Sequence, residues 1–109
     1  MTDFDAVKNK AKQLWSTFSP FENITAQASP ELIKFAQVVP GKRVVDVGCG
    51  TGVVAITAAR LGSIVSGSDI TPELIDHAKE NAKVANLDIK FEVADVENLP
   101  YNDASFDYV

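Results

Sequence analysis

One cysteine, Cys49, and one histidine, His77, stand in a chain of 109 residues. A single cysteine excludes an internal disulfide and fits a reducing, cytoplasmic setting. With no histidine near it in sequence to activate the thiol, Cys49 reads as a small loop residue and not as a nucleophile. His77 falls on the outward side of a predicted helix and reads as solvated. Basic residues are outnumbered, ten lysines and arginines against 15 acids, for a net charge of −5 and a pI near 4.7. That balance argues against non-specific nucleic-acid binding and against an anionic membrane surface, since both need basic patches. A nucleic-acid substrate held by other residues stays open. The start, Met1-Thr2-Asp3-Phe4-Asp5, lacks the basic region of a signal peptide. No apolar run approaches the length of a membrane span, and no internal repeat or low-complexity tract interrupts the chain.

The stretch that organises the rest is Arg43-Val44-Val45-Asp46-Val47-Gly48-Cys49-Gly50-Thr51-Gly52. A β-branched run of this kind is how a parallel strand with both faces covered reads. The glycines that follow let the backbone take φ > 0 and approach a ligand, and an apolar helical stretch, Val53 to Arg60, comes at once. Strand, glycine loop and helix together open a doubly wound nucleotide-binding fold.

Taken in order, residues from about Thr2 to Phe18 predict an amphipathic helix with Phe4, Val7, Ala11, Leu14, Trp15 and Phe18 on its apolar stripe. Lys8, Lys10 and Lys12 lie mostly off that stripe. Ser19-Pro20 ends the helix, and Phe21 to Gln27 reads as a loop. Packing on the main body and closure over a ligand cleft are both open to this arm. Ser29-Pro30-Glu31 has the chemistry of a helix start, and Pro40-Gly41 ends that helix. Thr51 is placed to cap the helix after the glycine loop. Strands are expected at Val44–Val47, Ser63–Ser68 and Ile89–Val93, with a helix from Thr71 to about Ala85 capped by Asn86. Ser105-Phe106-Asp107-Tyr108-Val109 reads as a fourth strand just beginning. Alternating strands and helices with short links predict an α/β fold with a parallel sheet and right-handed crossovers.

In such a sheet ligands bind beyond the carboxyl ends of the strands, where strand order reverses. Three acids fall there: Asp46, Asp69 and Asp95. Asp69 follows Gly48 by 21 residues, a spacing that suits a carboxylate accepting from ribose hydroxyls and disfavours a 2′-phosphate. The dinucleotide fingerprint G-x-G-x-x-G would place its third glycine at position 53. That position is Val53, and the third glycine is Gly52, so a ligand without a pyrophosphate is favoured.

Val44-Val45-Asp46-Val47-Gly48-Cys49-Gly50-Thr51-Gly52 resembles the D-x-G-x-G-x-G loop of the class I S-adenosylmethionine-dependent methyltransferases. Ser68-Asp69-Ile70, Ala94-Asp95-Val96, Leu99-Pro100-Tyr101 and Ser105 to Val109 continue the resemblance from about Phe35 onward. It implies a Rossmann-like doubly wound sheet, here cut at the start of its fourth strand, and S-adenosyl-L-methionine as cofactor. It further implies that Gly48, Cys49, Gly50 and Gly52 are cofactor-binding, with the Gly48, Cys49 and Gly50 backbone against the methionine part and ribose. Asp46 would hold the amino group, directly or through water, and Asp69 both ribose hydroxyls. Ile70 would pack on adenine, with Asp95 accepting from its exocyclic amine and the Val96 N–H donating to a ring nitrogen. No catalytic base, metal ligand or methyl acceptor is identified. Residues 1–28 then form a helical arm or lid and 29–109 the S-adenosylmethionine-binding domain. A nicotinamide-dependent oxidoreductase and a non-catalytic binding module are the rival readings. A fourth strand that only begins leaves half of the first strand's edge open, which predicts a homodimer through that edge and no methyl transfer by the chain alone.

Overall fold

Three short parallel strands, β1 (Arg43–Val47), β2 (Ile64–Asp69) and β3 (Lys90–Val93), lie side by side in the order β1-β2-β3. The computed structural model describes residues 2–16 and 22–109. Helices α1 (Asp3–Trp15) and α2 (Glu22–Phe35) precede the sheet. Helices α3 (Val53–Arg60) and α4 (Pro72–Val84) make the two crossovers. Tyr108 pairs in parallel with Val44 on the side of β1 away from β2. There the Val45 N–H donates to the Tyr108 carbonyl at 3.0 Å and the Asp107 N–H to the Arg43 carbonyl at 2.8 Å. Strand order therefore reverses at β1, and the predicted doubly wound α/β class is the one observed.

The register explains where the site lies. Asp46 is opposite Gly67, and Asp69 opposite Val93. Side chains alternate across a strand, so Val44, Asp46, Val65, Gly67, Asp69 and Phe91 share one face. Its lower part is apolar and is covered by Ala55 and Ala58 of α3 and by Ile75, Ala78 and Ala82 of α4, all buried. Its upper part, at the carboxyl ends, carries the acids. Gly67 is required within this face: a Cβ there would stand 2.6 Å from Cε1 of Phe91. A glycine usually weakens a strand; here it makes room for the Phe91 ring beneath the glycine loop.

Several expectations are corrected. α2 begins at Glu22, not Ser29, so the stretch read as a loop is helical from Glu22 onward and Pro30 lies inside the helix. Ala26, Gln27 and Ala28 are good helix formers, and Ser29, 1% exposed, faces the core instead of capping a terminus. Pro30 costs one internal hydrogen bond, a local penalty outweighed by packing of α2 against α3. α2 runs unbroken across positions 28 and 29. The residue capping α3 is Gly52, at φ +87° with no side-chain bond, and not Thr51. α1 ends at Trp15; Phe18, Ser19, Pro20 and Phe21 lie outside the described residues. A capping box between Thr2 and Asp5 starts α1, a signal the apolar stripe did not carry. Asn86 does adopt the left-handed conformation, φ +56°, expected after α4. Among the described residues no helix is long and apolar enough to cross a membrane.

Candidate functional site

The loop after β1 is shaped by its neighbour β2. The N–H groups of Gly48 and Cys49 both donate to the Ser68 carbonyl, at 2.8 and 2.9 Å. The Gly50 N–H donates to Oδ2 of Asp69 at 2.9 Å, and the Thr71 N–H to Oδ1 of the same carboxylate at 3.0 Å. Gly48 and Gly50 sit at φ +73° and +56°, and a Cβ built on either meets nothing within 4 Å. Both therefore present bare backbone to open space, the surface a ligand can approach closely.

That space is a cavity of about 470 Å³ above the strand ends, within the range of small-molecule sites. Asp46, Gly48, Cys49, Gly50, Asp69, Ile70, Asp95 and Val96 all line it. Gly52 does not. A Cβ on Gly52 would stand 3.0 Å from Cζ of Phe91, so this glycine lets the loop sit down on the sheet. Thr51, Val53, Val54 and Leu74 also line the cavity and were missed in sequence; Trp15, on the arm for which closure over a cleft was one of two readings, lines it too. Val53 and Val54 are the first turn of α3, and an apolar helix start carried no mark of a ligand. Ile70, Leu74 and Val96 add apolar surface to the lining.

The acids differ in state. Burial pushes Asp46 up to about 6, with the nearby Asp69 charge adding to the effect and the Ala55 N–H opposing it. Its Oδ2 is buried without a hydrogen-bond partner among the described residues. An orphaned buried acceptor of this kind has capacity for a further donor. Both Asp69 oxygens already accept one backbone N–H, and each keeps capacity for a further donor. Asp95 is held below the usual carboxylate range by Lys8, whose ammonium contacts Oδ2, and by the Glu97 N–H on Oδ1 at 3.0 Å. The same ammonium lies 2.8 Å from Oε2 of Glu97. Sequence periodicity had placed Lys8 off the apolar stripe and gave it no role. Cys49 is buried, and burial pushes its thiol up, which suits a packing residue and not a nucleophile.

The lining thus brings three carboxylates, Asp46, Asp69 and Asp95, to one cavity with the bare backbone of Gly48 and Gly50.

Residues 44–109 match the family described as methyltransferase domain. An uncharacterised protein of Mycobacterium tuberculosis is 39% identical over 88 residues, covering 81% of this chain and 32% of the relative. The ubiquinone biosynthesis O-methyltransferase of Coxiella burnetii is 36% identical over 84 residues, covering 74% and 36%. The chain thus spans about a third of the length of the curated relatives it matches. Among solved structures, magnesium protoporphyrin IX methyltransferase from Synechocystis with bound S-adenosylmethionine superposes with a TM-score of 0.63 at 27% identity, covering 69% of this chain and 39% of that one.

Proposed function

The chain belongs to the class I S-adenosylmethionine-dependent methyltransferases, and from that premise we propose that its cavity binds S-adenosylmethionine for methyl transfer. The observation that carries this reading is the convergence of Asp46, Asp69 and Asp95 with the Gly48–Gly50 backbone on one cavity. When bound, the cofactor supplies an electrophilic methyl group on a sulfonium sulfur.

The remaining work falls to this chain's residues. Asp46 accepts from the cofactor's ammonium; a buried, unpartnered carboxylate gains most from such a charge-assisted bond. The Gly48, Cys49 and Gly50 backbone forms the floor beneath the methionine part and the ribose. Asp69 accepts from the ribose hydroxyls with the lone pairs its backbone partners leave over. Ile70 packs on the adenine ring, and Asp95 with the Val96 N–H reads the ring's amine edge. Gly52 supports the loop from behind. Proximity and alignment supply much of the acceleration expected for such a transfer, and the hydrogen bonds from Gly48, Cys49 and Gly50 to Ser68 and Asp69 fix the floor on which the cofactor would be aligned.

A nicotinamide dinucleotide is disfavoured because Val53 lines the cavity where that loop would need its third glycine. Calorimetry with S-adenosylhomocysteine and with NAD separates the two. We expect saturable binding of the first and none of the second; tight NAD binding with no response to S-adenosylhomocysteine would overturn the reading.

A further inference from the structure

α1 is an amphipathic helix in which no residue is buried. Its Trp15 nevertheless lines the cavity. One turn in from its start, Lys8 reaches the far end of the site. Its ammonium contacts Asp95 Oδ2, lies 2.8 Å from Glu97 Oε2 and sits 4.7 Å from the centre of the Phe4 ring. The Lys8 and Asp95 side chains are 23% and 29% exposed, so the pair is shielded more than an ordinary surface ion pair. The Thr2–Asp5 capping box satisfies the N-terminus of α1 from within the helix, so that end does not draw on the body for its hydrogen bonds.

We propose that Lys8 is the latch of a lid: α1 closes the Asp95 end of the cavity through Lys8's contacts with Asp95 and Glu97, and ligand entry and release require that contact to break. The inference rests on the assignment of this cavity to the cofactor, but the latch itself exists in the free protein. Asp95 serves two partners. In the free protein Lys8 holds it; when a ring amine arrives on Asp95, Glu97 still retains the ammonium and keeps the helix close. Lids of this kind often set the rate of product release.

Trp15 is the chain's only tryptophan, so its emission reports the position of α1 directly. The test compares the unmodified protein with Lys8→Met, Lys8→Arg, Glu97→Gln and, as a control, Lys10→Met on an exposed position of the same helix. In the free protein, Lys8→Met should shift Trp15 emission to the red and raise its quenching by acrylamide. High salt should do the same to the unmodified protein, and Lys8→Arg should restore the original spectrum. Stopped-flow dissociation of S-adenosylhomocysteine should be about fivefold faster in Lys8→Met, the size expected for a partly shielded ion pair. Glu97→Gln should give a smaller increase in the same direction, and Lys10→Met none. Circular dichroism confirms that each variant is folded. Trp15 emission in Lys8→Met identical to that of the unmodified protein and of Lys10→Met would overturn the latch, whatever the ligand does. Failure of S-adenosylhomocysteine to bind any folded form would overturn the cofactor assignment and leave the emission arm to decide the latch.

Discussion

Burial of Asp46 costs the folded protein stability, and pH exposes the cost. Burial moves its carboxyl from 3.8 to about 6. At about 1.4 kcal/mol per pH unit, that displacement corresponds to about 3 kcal/mol between the two protonation states. The sign is the reverse of the usual carboxylate. Between pH 4 and pH 6 the folded state holds a proton that the unfolded state has released, so stability falls as pH rises through this window and the loss is complete above it. Other acids, including Asp5, Asp95 and Asp107, which are lowered by their partners, contribute in the opposite direction at lower pH. The comparison is therefore with Asp46→Asn, in which those contributions are unchanged. Urea unfolding of both proteins without ligand, from pH 4 to pH 7.5, should show the unmodified protein losing about 3 kcal/mol relative to the variant. With saturating S-adenosylhomocysteine the relative loss should shrink, since an ammonium beside Asp46 restores its preference for the charged form. Affinity for the ligand should correspondingly drop below pH 6 in the unmodified protein and not in the variant. Parallel stability profiles for the two free proteins would refute the reasoning, because an Asp46 that ionises at an ordinary pH is not the desolvated group described above.

Asp69→Ala should weaken S-adenosylhomocysteine binding by about one to two decades, the cost of one or two charge-assisted hydrogen bonds, and should also lower stability by orphaning the Gly50 and Thr71 N–H groups; titration calorimetry at unchanged affinity would take Asp69 out of the site. Gly50→Val forces a β-branched residue to φ +56°, at a strain of about 1–2 kcal/mol, and fills ligand space; a folded variant by circular dichroism should bind no cofactor, and full binding would contradict the loop geometry. Gly67→Ala drives a methyl into the Phe91 ring and should cost about 1–3 kcal/mol in urea unfolding, with part of the loss recovered when Phe91→Leu is added; additive losses would show that the two positions are not coupled.

The strands, the glycine loop and the three acids were legible because each leaves a local mark: a β-branched run, alternate glycines, an acid at a strand's end. Their convergence followed from the parallel topology alone. What stayed hidden depended on distance in sequence. Ser29-Pro30-Glu31 has the local chemistry of a helix start, and only packing of α2 on α3 carries the helix through it. Gly52 looked like a ligand contact, yet its neighbour is Phe91 on β3. Lys8 looked like one solvated lysine among three, and nothing near it in sequence points to Asp95. The raised Asp46 is a consequence of its burial in the folded chain, which no spacing reveals.

The ties of the glycine loop and of α1 also differ in how far along the chain they reach. Its anchors lie close in sequence: Gly50 and Asp69 are 19 residues apart, within one strand–helix–strand unit. Closing so short a segment costs little chain entropy, and local contacts of this kind form early. The floor of the site can therefore take shape on a nascent chain as soon as β2 has emerged. Lys8 and Asp95 are separated by 87 residues. The contact of α1 with Asp95 thus has to wait for β3, so among the described residues the floor of the cavity can form before α1 is fastened to it.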